Sequence, residues 1–161
     1  MKKTLTLVLA MLMMFAFATV AFAEETTPPV KDEYAAIKAE IQVLRDELMG
    51  LREAHKVIHT QAVEKRDNIK TLFQTAKEAN LTEKLEAAKA FREQLKAISA
   101  EIQIIREDKK ALWEQLKAAK TEKDFESVKA KLTQIIELKK QIIEKANSRL
   151  DVMDDIIDTL K

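Results

Sequence analysis

Residues 122–160, EKDFESVKAKLTQIIELKKQIIEKANSRLDVMDDIIDTL, decide the fold. Alternating steps of three and four pick out Phe125, Val128, Leu132, Ile135, Lys139, Ile142, Ala146, Arg149, Met153, Ile156 and Leu160. A repeat averaging about 3.5 residues is the seam of a helix in left-handed, coiled-coil-like packing. Beside it run Ile136, Ile143, Leu150 and Ile157, seven apart. This apolar face is wider than a two-stranded seam needs, and a helix of that width touches two neighbours.

The same period continues toward the N-terminus. It runs from Tyr34, Ile37, Ile41, Leu44 and Leu48 to Ala79, and again from Leu81 to Ala119. Over the three stretches 31 of 37 seam positions are apolar; scattering the same composition would put about 16 there. The expectation is an all-α fold of three long antiparallel helices, about 31–79, 82–119 and 122–160, in an elongated coiled-coil-like bundle. One Gly and two Pro argue against a turn-rich β fold. The two breaks have local causes. Asn80 suits the left-handed position that closes the first helix, and Thr82 can cap the second through its hydroxyl. Thr121 with Asp124 three residues on approximates a capping box for the third. Connections this short force neighbouring helices to run antiparallel.

Residues 1–23 read as a secretory signal peptide. Lys2 and Lys3 precede an apolar run from Leu5 to Val20, and Ala21-Phe22-Ala23 forms a small-residue cleavage site. Residues 24–30, with Pro28-Pro29, read as an extended linker. Removing Lys2 and Lys3 leaves 26 basic against 27 acidic residues. That balance fits neither a nucleic-acid binder nor an acidic tail. Without cysteine the exported chain has no disulfides and must be held by its core. No later apolar run reaches spanning length, so no membrane span is expected after cleavage. The expected location is extracytoplasmic, periplasmic or secreted.

Helix lengths suggest a partner surface. The first helix is about 73 Å long and the others about 57 Å. A second helix folding back from Asn80 ends opposite residues 40–43. Tyr34, Ile37 and Ile41 would then overhang as an apolar stripe, for a protein partner or self-association. Gly50 offers a bend, although the seam keeps its phase through Leu48, Leu51 and His55.

Candidate chemistry is sparse. His55 and His59 lie four apart, a spacing that puts two metal ligands on one helix face. Lys56 follows His55 where the metalloprotease helix has Glu. Fold-back register places Ile105, Arg106 and Ile135 near His55, with Ile102 and Lys139 near His59, surroundings poor for a divalent ion. Lys65, Lys84, Lys109, Lys139 and Arg149 interrupt the seams. Such cations either line an anion-binding groove or snorkel past the apolar stripe and set register. Ser99, Ser127 and Ser148 have neither a predicted histidine beside them nor a Gly-rich elbow, and Gly50 stands alone rather than in a phosphate loop. No enzymatic activity and no cofactor is expected. Phe73 with Phe91, and Trp113 with Phe125, are expected to plug the two ends of the bundle.

Leu81-Thr82-Glu83-Lys84-Leu85 and Leu132-Thr133-Gln134-Ile135-Ile136 begin like the Leu-Thr-x-x-Gln pattern of the Spy/CpxP group of periplasmic stress chaperones. Leu85 and Ile136 stand where that pattern has Gln. The chain resembles this group in size, charge, lack of cysteine and helical content, with longer helices than the family's hooked ones. The resemblance implies an ATP-independent holdase that cradles unfolded clients on a concave helical face. The reading is thus an exported, non-enzymatic bundle acting through protein contacts, chaperone-like or as an envelope scaffold; the alternative is a metal sensor or carrier using His55 and His59.

Overall fold

The computed structural model describes residues 30–161, with side chains from Tyr34 onward. The expected signal peptide lies outside the described residues, as does the linker apart from Val30. Three helices follow one another: α1 (Val30–Glu78), α2 (Thr82–Glu122) and α3 (Phe125–Leu160). No strand occurs among the described residues. None of these helices is long and apolar enough to cross a membrane. α1 runs unbroken through Gly50, where an added Cβ would meet nothing within 4 Å.

α3 is the shared element. It packs along both α1 and α2, whereas those two approach each other closely at few points. Its double apolar face explains this. Ile135 and Ile142 on the seam and Ile136, Leu150 and Ile157 beside it are all buried. Burying one such side chain contributes about 1.5–3 kcal/mol. The buried apolar residues form two clusters. One joins Ile41 and Leu48 of α1 to Leu116 of α2 and Leu132, Ile135 and Ile136 of α3, with Trp113 and Phe125 packed against it. The other, by the first turn, joins Phe73 and Ala76 to Ala88, Ile156 and Leu160, with Phe91 alongside. The aromatic plugs therefore sit at opposite ends of the bundle.

The turns use left-handed residues other than glycine. Asn80 has φ 55°, and its N–H donates to the Lys77 carbonyl while that of Leu81 reaches Ala76. This is the Schellman pattern, which satisfies carbonyls at a helix end. Lys123, φ 58°, repeats it: its N–H reaches Lys120 and that of Asp124 reaches Ala119. The expected threonine caps are corrected by this geometry. Leu81 occupies the N-cap position of α2, which has no side-chain cap, and the Thr82 hydroxyl donates to Asn80 O at 3.4 Å. α2 continues past Ala119 to Glu122, so Thr121 is helical and donates to Lys117 O at 3.1 Å. Asp124 caps α3 instead, accepting from Ser127 N at 3.0 Å. The Ser127 hydroxyl and backbone bonds hold the Asp124 carboxyl below its ordinary range.

The expected overhang is also corrected. Ile41 is 5 % exposed and Ile37 packs on the same cluster, while Tyr34 meets Phe125 edge-on with ring centroids 4.8 Å apart and stays 40 % exposed. The ion pairs Glu40–Lys129 and Lys65–Asp154 share one register between α1 and α3, a separation of 89 residues. That register starts α3 beside the beginning of the α1 seam. Length arithmetic on α2 alone left this cover out.

Candidate functional site

Between the two apolar clusters the seams of all three helices turn cationic. α1 brings Arg52 and His55, α2 brings Arg106 and Lys109, and α3 brings Lys139. Each sits there because its heptad position faces the bundle axis or flanks it. Lys139 is 6 % exposed, the one charged residue buried among the described residues. A cavity of about 190 Å³ lies against it, lined by Leu48, Arg52, Lys109, Trp113, Ile135 and Lys139. The walls come from α1 and α2, which stand apart here, and the floor from α3. The Arg52 guanidinium lies over the Trp113 ring, 5.9 Å from its centroid.

The charges in this waist repel one another. Burial first, then the positive charges of Lys109, Arg106 and Arg52, pull the Lys139 ammonium down to about 8. Burial followed by Arg106 and Arg52 also lowers Lys109. His55 falls to about 4 through burial, with Lys139, Arg106, Lys109 and His59 adding repulsion. No carboxylate pairs with Lys139 or Lys109 among the described residues. Glu137, two residues before Lys139, and Glu47 of α1 both hold Lys140 instead, at 3.1 and 3.0 Å.

The other seam cations differ. Lys65 pairs across the bundle with Asp154 of α3. Arg149 is half-buried, and its Nε has no hydrogen-bond partner. Lys84 is half-buried near the first turn. The five seam cations named from sequence thus split, and only Lys109 and Lys139 are brought together. The register also corrects one neighbour: Lys139 faces His55. Arg52, Arg106 and Trp113 complete the cluster and were not singled out from sequence as a group. The signal that could have found them is two basic residues flanking the seam, within a turn of its own cations, on different helices.

The histidines occupy successive turns, with His55 half-buried and His59 exposed. Among the described residues no group of three or more His, Asp or Glu converges on one point. The cations around His55 oppose a metal ion by like charge. A second feature is apolar and faces outward. Val43, Met49 and Val57 of α1 are 66, 60 and 58 % exposed. Ile104 of α2 is similarly open.

No family model matches the chain, and neither the curated proteins nor the solved structures contain a match to it.

Proposed function

We propose that the chain is an exported, non-enzymatic helical bundle that acts extracytoplasmically through protein–protein contacts, as an ATP-independent chaperone-like holdase or an envelope scaffold. The observation that carries this reading is the set of strongly exposed apolar side chains Val43, Met49 and Val57 on α1. Exposed apolar side chains among charged ones suit weak, repeated contact with unfolded segments. The likeness of its Leu-Thr motifs to the Spy/CpxP pattern supports the same role. The metal-carrier alternative draws no support from the cationic surroundings of His55.

The test is light scattering of a thermally unfolding client without ATP. The purified protein is expected to suppress aggregation near one-to-one stoichiometry. The triple variant Val43→Ser, Met49→Ser, Val57→Ser should lose most of that suppression while keeping its helical circular dichroism. An unchanged scattering curve with the native protein, or full suppression by the triple variant, contradicts the reading.

A further inference from the structure

We infer that the waist cavity bounded by Arg52, Lys109 and Lys139 is a binding site for a small, multiply charged oxyanion of the phosphate class. Three observations converge on it. First, donors come from all three helices: a guanidinium from α1 and ammonium groups from α2 and α3 line the same space. Arg and Lys are the side chains that meet phosphate oxygens, the first as a planar fork and the second as a point charge. Second, the space is large enough. At about 190 Å³ it far exceeds the roughly 10–15 Å³ that a single water needs. Third, the protein supplies no anion of its own there. Lys139 is 6 % exposed and faces positive groups on both neighbouring helices, namely Arg52 and His55 on α1 and Arg106 and Lys109 on α2.

A buried charge without a partner is costly, and such groups are normally paired. Snorkelling is the ordinary resolution for a seam lysine; Lys139 buries its stem in that way, and its Nζ, which lines the cavity, has no acid there to meet. Elsewhere in the bundle cross-helix lysines do have acids: Glu40 faces Lys129, Glu101 faces Lys145 and Asp154 faces Lys65. The waist is where that pattern is inverted. An external oxyanion would supply the missing counter-charge and tie the three helices together beside the first apolar cluster, whose Leu48, Trp113 and Ile135 line the same space. It would also accept from Arg52 without breaking any ion pair, since Arg52 stacks on Trp113 instead. This inference does not depend on the client-binding reading.

Isothermal titration calorimetry on the purified protein tests it, with inorganic phosphate and pyrophosphate as probes and chloride at matched ionic strength as the control. Saturable one-to-one binding is expected, tighter for pyrophosphate. Lys139→Met should weaken it at least tenfold, and Arg52→Gln, on an exposed residue that the core does not require, by about threefold or more. Lys145→Gln, at a separate ion pair, should leave it unchanged. In parallel the His55 ring resonances, followed by NMR against pH, should titrate at a higher midpoint in saturating pyrophosphate. Heat that chloride reproduces, either cavity variant binding like the native protein, or an unmoved His55 midpoint overturns the inference.

Discussion

Lys65 and Lys139 both interrupt a heptad seam, on neighbouring helices, and their surroundings are opposite. Lys65 meets Asp154 across the α1–α3 interface. Lys139 meets Arg52, Arg106, Lys109 and His55. A lysine in a heptad seam therefore has no fixed meaning. Its role is set by what the opposing helices bring to the same level, a property of register and not of the helix that carries it. At Lys65 the bundle closes on itself with an ion pair; at Lys139 it holds charge apart.

The contrast is broken most severely one turn away from Lys139. Ile135 is fully buried on the same stripe, and Ile135→Ala should cost about 2–5 kcal/mol by urea denaturation. Lys139→Met should have the opposite sign, raising stability at neutral pH by on the order of 1–2 kcal/mol, because an apolar side chain removes the buried charge. A loss of stability in that variant would mean that the ammonium is held by something favourable.

The native protein should show the same sign through pH. Lys139 is depressed to about 8 from 10.5, so between those values the unfolded chain binds the extra proton. Stability then rises with pH across that window, by on the order of 1–2 kcal/mol after allowance for screening. Lys129, Lys140 and Lys145 are shifted upward by their acid partners, and their contribution is lost only at higher pH. Denaturation curves at pH 7.5 and 9.5 should therefore diverge in the native protein and nearly coincide in Lys139→Met.

His55 sharpens the comparison on the acid side. Its value falls from 6.5 to about 4, so the unfolded chain takes up the proton first and stability declines as pH drops through that range. The charges facing it are His59 on α1, Arg106 and Lys109 on α2, and Lys139 on α3. Replacing His55 by Gln should remove on the order of 1 kcal/mol of the loss between pH 6.5 and pH 4, measured as the difference between the two denaturation profiles. The smallest effect belongs to the paired end. Lys65 and Asp154 are partly solvated, and Asp154→Asn should cost about 1 kcal/mol or less. A larger cost would place that pair among the main supports of the bundle.

Much of this architecture is legible in residue order. The seam period fixes helices, the added Ile136, Leu150 and Ile157 mark α3 as the shared helix, and Asn80 marks the first turn. The rest depends on contacts between helices distant in sequence. Covering Ile37 and Ile41 requires the start of α3 to lie beside the start of α1, which no single helix encodes. Thr82 and Thr121 carry capping chemistry, yet the left-handed residues Asn80 and Lys123 closed the preceding helices in geometries that left the cap to Leu81 and Asp124. Lys109 and Lys139 stand out as seam cations in the sequence, but Arg52, Arg106 and the separation of α1 from α2 emerge only once the register is set. The exposed Val43, Met49 and Val57 lie off the seam and escape a search for core periodicity.

The most direct measurement of the cationic waist is an NMR titration of the lysine side chains, reading the ε-carbon shifts against pH. Lys139, assigned through Lys139→Met, should titrate near 8, well below the bulk of the lysines. A midpoint for Lys139 at the ordinary value of about 10.5 would show that its charge is solvated or paired, and would contradict an unpartnered cationic cluster at the centre of the bundle.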